Sequence, residues 1–167
     1  ETAMAIGSEL DLDTVLHLVA ERARQLINAE TVLIPILNWD CNEYTYQAGA
    51  GRNVEEIVGE SLPLDFGVCG WVWRNKRPWW RGVLDELSPQ ERNRWEKEVG
   101  TLILVPLLGR AHFLGGIAGM NKTTGGDFSQ RDLHLLELFA GQVAIAIENA
   151  MAMHKVCSCA PDPRAPR

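Results

Sequence analysis

The chain has 167 residues, 46% of them hydrophobic and 23% charged, which suits one soluble domain with a full-sized core. A net charge of -6 without a basic stripe argues against nucleic-acid binding, and no apolar run is long enough for a membrane span or set out as a signal peptide. Of the four cysteines, Cys41 and Cys69 are isolated and Cys157 and Cys159 lie near the end, a pattern that makes no disulfide framework and suggests a reducing cytoplasm. The chain opens on Glu1 rather than methionine, as expected of a piece of a longer protein or a processed one.

Residues 1–9 read as a lead-in. Asp11 to Ile27 reads as an amphipathic helix: Leu12, Val15, Leu16, Val19, Ala23, Leu26 and Ile27 recur at helical spacing, with Asp11 or Asp13 as cap. Leu10 and Leu18 add apolar surface on a second side. Thr31 to Leu37 reads as a buried strand, in which Pro35 removes a ladder donor and so implies a bulge or an edge position. A turn at 38–42 leads to a second strand, Glu43 to Ala50. Asn53 to Gly59 is expected to form a short helix capped by Asn53, with Glu56 at the capping-box position.

The most individual stretch is LPLDFGVCGWVWRNKRPWW, Leu62 to Trp80. It reads as a helix from near Gly67 to near Lys76, then a short strand after Pro78. Ser88-Pro-Gln-Glu91 is a helix start with serine at the cap, proline first and glutamate third, and the helix is expected to run to about Val99. Leu102 to Leu108 and Phe113 to Met120 flank a turn at Gly109-Arg110 and read as a hairpin. Ser129 caps the last helix, in which Leu133, Leu136, Ala140, Val143 and Ile147 form one stripe. Leu135, Leu138, Phe139, Ile145 and Ala146 widen it, so this helix needs cover on two sides. The first and last helices are therefore expected to pack side by side on one sheet face and to continue the packing across a homodimer. Residues 154–167, rich in proline, read as a flexible tail. The fold class is α+β with an antiparallel sheet of about five to six strands.

From Leu10 to Ala150 the chain resembles a GAF domain. The motifs that carry the resemblance are Ala29-Glu-Thr-Val32, Gly67-Val-Cys-Gly-Trp-Val72 followed by Asn75-Lys-Arg-Pro78, the strand ending Val-Pro-Leu at 105–107, and Asn121-Lys122 followed by Phe128 and Asp132. Leu133 stands where the cyclic-nucleotide version has glutamate, and Arg81-Gly82 where an aspartate is common. The resemblance implies a domain of residues 10–153 with terminal helices on one face and a ligand pocket of helices and loops on the other. It also implies a regulatory sensor that binds an unknown small molecule and relays the event, as in two-component signalling proteins, to an output domain through dimerising helices.

Phe66, Cys69, Trp71, Trp73, Trp80, Arg81 and Trp95 are the candidate ligand-binding residues, since aromatic walls with few polar groups suit a flat or apolar ligand. On a strand, Trp79 and Trp80 face opposite sides, so one of them at most lines a given pocket. Asn121, Lys122, Phe128 and Asp132 form the structural signature, with Lys122 and Asp132 as an ion pair pinning loop to helix. Cys69 also resembles a position in free methionine sulfoxide reductases, but that chemistry needs a resolving thiol, and Val83 to Leu108 holds none. The expectation is a small packed residue and no catalytic group. His112 and His134 read as surface or satisfied histidines and not haem ligands. His154, Cys157 and Cys159 offer zinc three donors in place of four. No metal is expected and no cofactor is named. A structural dimerisation module whose pocket is filled by tryptophans is the alternative.

Overall fold

The computed structural model describes residues 2–81, 87–92, 95–96 and 100–152. Helix α1 spans Thr2–Ile27, so it starts well before the expected cap at Asp11 or Asp13. Residues 2–9, with two alanines, a methionine and a glutamate among them, continue that helix. Strands β1 (Ala29–Asn38) and β2 (Glu43–Gly51) form the first hairpin. A short 3-10 turn, Val54–Glu56, replaces the expected helix: Asn53 sits at φ 64° and makes no side-chain cap bond. Strand β3 (Ser61–Pro63), helix α2 (Gly67–Asn75) and strand β4 (Trp79–Trp80) follow. Strands β5 (Leu102–Leu108) and β6 (Phe113–Lys122) form the second hairpin, and helix α3 spans Gln130–Ala152. At Ser88 the expected box is half visible, as the Ser88 N–H donates to Glu91 Oε1 at 2.8 Å above a 3-10 turn at Pro89–Glu91. Trp95 and Glu96 are helical, as expected; positions 93–94 and 97–99 of that expected helix and the tail at 154–167 lie outside the described residues.

The six strands form one antiparallel sheet in the order β3-β2-β1-β6-β5-β4. Pro35 is accommodated by a bulge: the β1–β2 register slips between Ile34 and Pro35, leaving Gln47 as the extra residue. Strand alternation then sorts the core into two layers. Val32, Ile34 and Ile36 of β1 and Ile103, Val105 and Leu107 of β5 pack under α1 and α3. Leu33 and Leu37, Tyr44 and Tyr46, and Leu102 and Leu104 pack under α2. Both terminal helices thus lie side by side on one face, as expected from their apolar stripes. Leu18, Leu26, Leu138 and Ile145 remain exposed on them.

The turn between β6 and α3 ties these parts together. Ser129 Oγ accepts the Asp132 N–H at 3.1 Å while Asp132 Oδ2 accepts the Ser129 N–H at 2.8 Å, a reciprocal cap. Asp132 also pairs with Lys122 Nζ, which in turn donates to the Ile27 carbonyl at 3.3 Å. Asn121, at φ 61°, accepts the N–H groups of Gly100 and Thr101 at 2.7 and 3.2 Å and so fixes the start of β5. Phe128 is fully buried in the helix-side core. Cys41, half-buried in the hairpin turn, is disulfide-bonded, against the expectation that the cysteines form no disulfide framework.

Burial works against the Asp132 carboxylate, but hydrogen bonds from Lys122 and Ser129 outweigh it and hold the carboxyl below its usual range. Such a group contributes stability above its unfolded pKa, and that contribution is lost as pH falls through the lower folded value. Urea unfolding of Lys122→Met at pH 7 is therefore expected to show a loss of about 3 kcal/mol. The difference from the parent chain should shrink as pH falls below the ordinary aspartate range of about 4 and towards the lowered value of Asp132 in the parent. A deficit that does not change with pH would contradict this assignment.

Candidate functional site

Helix α2 begins without a side-chain cap of its own at Phe66. The cap comes from Glu96, whose two carboxylate oxygens each lie 3.0 Å from the Val68 N–H. Glu96 is buried, and a carboxylate at the positive end of a helix is well placed. The spacing of the glycines follows from this packing. Gly67 adopts φ +75°, and a Cβ there would stand 2.8 Å from Glu96 Oε1 and 3.0 Å from the Tyr44 hydroxyl. A Cβ on Gly70 would meet the Asp65 backbone at 2.2 Å. The Tyr44 hydroxyl donates to the Phe66 carbonyl at 3.0 Å, so β2 also holds the start of α2.

Between α2 and the sheet the space is taken by aromatic side chains. Trp71 and Trp79 meet edge to face with centroids 5.4 Å apart, and Trp95 is buried with its Nε1 donating to Glu60. Beside them opens a cleft of about 90 Å³. Trp79 and Leu102 form its apolar wall, Arg81, Arg92, Glu96 and Asp127 its charged lining, and Gly100 and Thr101 its backbone edge.

The candidate residues named from the sequence are distributed unevenly around this cleft. Arg81 lines it. Trp71, Trp95 and Cys69 are buried in the layer behind it, and Phe66 serves through its backbone at the start of α2. Trp73 lies apart, half-buried against Trp39 and Phe113 with Lys76 Nζ 4.2 Å from its ring centroid. Trp80 is a correction. Strand β4 pairs Trp79 with Leu104 and Trp80 with Ile103, and these partners lie on opposite faces. Trp80 therefore packs against the core under α1 and α3, with its Nε1 donating to the Phe128 carbonyl at 2.9 Å, and Trp79 is the member of the pair at the cleft. Arg92 and Glu96 were not named from the sequence, and of the pair Trp79 and Trp80 the candidate chosen was Trp80. The alternation of β4 was visible there, but the register that decides which tryptophan faces α2 was not.

The charges of the cleft are differently engaged. Arg81 Nε donates to the Phe128 carbonyl at 3.3 Å, and its guanidinium lies 4.5 Å from the Trp80 ring centroid. Arg92 Nη2 donates to the Leu87 carbonyl at 3.1 Å, with its guanidinium 5.3 Å from the Trp79 ring. Asp127 Oδ1 accepts the Phe128 N–H at 2.9 Å. Cys69 is the free cysteine among the described residues; burial, and then the nearby Glu96 carboxylate, push its thiol far above the usual range. A thiol in that state is a poor nucleophile. Among the described residues no group of three or more His, Cys, Asp and Glu side chains is placed to hold a metal.

Comparison with known proteins agrees with this architecture. The second GAF domain of DevS from Mycobacterium smegmatis superposes with a TM-score of 0.67 at 22% identity, covering 86% of this chain and 98% of that one. Free methionine-R-sulfoxide reductase from Neisseria meningitidis superposes with a TM-score of 0.66 at 16% identity, covering 86% and 81% of the two chains. These likenesses show a shared fold. In sequence, the formate hydrogenlyase transcriptional activator FhlA of Escherichia coli (strain K12) is 24% identical over 159 residues, covering 91% of this chain and 23% of its own length. The chain thus spans about a quarter of the relatives it matches. The profile described as GAF domain matches residues 9–148, and the chain belongs to that family.

Proposed function

We propose that this chain is a regulatory sensor domain that binds a small molecule in the cleft beside β4 and passes the binding event to an output domain through α1 and α3. The carrying observation is a division of labour between the two sheet faces. A charged cleft with an aromatic wall opens beside β4, next to the tryptophan layer under α2, and two long helices with exposed Leu18, Leu26, Leu138 and Ile145 cover the other sheet face. Trp80 and Arg81, adjacent in sequence, both donate to the Phe128 carbonyl, so the cleft lining and the start of α3 share one turn. A ligand that favours one arrangement of that turn shifts the helices by its difference in affinity between the two states.

Exposed apolar side chains on both helices support a homodimer in this reading, with the partner copy as their cover. Membership of the GAF family, together with similarity to part of a transcriptional activator, supports a cytoplasmic signalling role, of the kind found in two-component systems. Catalysis through Cys69 is disfavoured by its burial. The alternative is a dimerisation module whose pocket is filled by Trp71, Trp79 and Trp95.

A thermal-shift screen against a broad metabolite library, read with tryptophan fluorescence, tests the sensor reading. At least one compound should raise Tm by several degrees and change the emission; a screen without a hit favours the filled module. Sedimentation tests the dimer. The parent chain should sediment as a dimer and the double variant Leu18→Glu/Leu138→Glu as a folded monomer; a dimer that survives both changes places the interface elsewhere. In the folded chain Cys69 should react with iodoacetamide at pH 8 at least ~100-fold more slowly than in urea. Fast labelling would return the redox reading to consideration.

A further inference from the structure

We infer that the cleft beside β4 takes a small monocarboxylate, held between the guanidinium groups of Arg92 and Arg81. This rests on the sensor reading and names the ligand class of its site. Arg92 carries the argument. Its Nε is buried without a hydrogen-bond partner, and no other side-chain nitrogen or oxygen among the described residues is in that position. A buried charged donor without an acceptor is costly, so an acceptor entering the cleft relieves a penalty already present in the fold.

Arg81 lines the same cleft with its Nε engaged by the Phe128 carbonyl. A guanidinium has five N–H donors, and the structure uses one on each of these arginines. Among the described residues neither arginine forms an ion pair. The remaining donors match the planar, two-oxygen geometry of a carboxylate.

The rest of the lining limits the ligand further. Glu96 and Asp127 face the cleft, so a phosphate dianion meets two negative charges where a carboxylate carries half that burden. Asp127 accepts the Phe128 N–H on one carboxylate oxygen and can take a hydroxyl or ammonium group of the ligand on the other. A volume of about 90 Å³ admits only a few heavy atoms, and Trp79 closes one side with an apolar wall. A small hydroxy acid or amino acid meets these conditions.

The test is a titration of the full chain with sodium glycolate, glycine and inorganic phosphate, each against sodium chloride of equal ionic strength, followed by Tm and tryptophan emission. Glycolate or glycine at tens of millimolar should raise Tm by about 2–4 °C, and phosphate should not. Arg92→Leu should remove the shift. Arg92→Lys keeps the charge and guards against a folding defect in the leucine variant; it should lose most of the shift, since an ammonium cannot present the fork. The assignment is overturned by no carboxylate shift in the parent chain, or by an equal shift in a folded Arg92→Leu. A phosphate shift that Arg92→Leu abolishes overturns it in favour of a tetrahedral oxyanion. A neutral metabolite whose binding survives Arg92→Leu overturns it and leaves the sensor reading standing, whereas a broad screen without any hit, carboxylates included, ends both.

Discussion

The carbonyl oxygen of Phe128 is the point on which both halves of the molecule converge. Trp80 and Arg81 donate to it from the end of β4. One residue further on, Ser129 caps α3, and Asp132 in the first turn of that helix pairs with Lys122 at the end of β6. Lys122 also reaches the last carbonyl of α1, at Ile27. A single turn between β6 and α3 therefore touches the edge strand, a central strand and both terminal helices. Its ionic component is shielded from water, with side-chain exposures of 14% for Lys122 and 8% for Asp132, so its partners cannot be exchanged cheaply for solvent.

This arrangement gives each sheet face its own role. The helix-side core is aliphatic apart from Phe128 and the partly buried Trp80 and Phe139, and it holds α1 and α3 as a pair. The other core contains two tyrosines and three tryptophans, with the buried Glu96 carboxylate standing at the start of α2. Aromatic residues there supply bulk beside the short helix α2, and the charged side chains of Arg81, Arg92, Glu96 and Asp127 collect at the margin. A cleft at that margin is small, polar on one side and stacked on tryptophan on the other, which is a reasonable geometry for selecting one small metabolite by charge and size. The same turn that bounds the cleft is tied to α3, so the proposed signal has a continuous physical route.

Much of this was legible in the sequence because it depends on short-range pattern. The unbroken apolar runs of β1 and β5 marked buried strands, the stripes of α1 and α3 their pairing, Pro35 a bulge or an edge position, and Ser129 with Asp132 the start of the last helix. What escaped depends on long-range register or on a side chain acting at a distance. Trp80 was placed at the pocket because no local signal says which residue of β4 stands opposite Leu104. Glu96 caps α2 from 28 positions away, and Glu148 of α3 accepts the Arg110 and Ala111 N–H groups in the β5–β6 turn from across the fold. Asn53 looked like a helix cap, yet its left-handed conformation serves a 3-10 turn through the backbone. Arg92 showed nothing in the sequence to separate it from a solvated surface arginine.

The central claim is that the turn from Asn121 to Asp132 behaves as one cooperative unit joining the cleft margin to the terminal helices. A double-mutant cycle between Trp80→Phe and Lys122→Met, by urea unfolding at pH 7, addresses it directly. The two side chains are anchored to different atoms of the turn, so independent contributions would add. Cooperation through the turn predicts a coupling of about 1 kcal/mol or more. Additivity within about 0.3 kcal/mol would contradict the account and leave the two faces of the sheet without a common mechanical element.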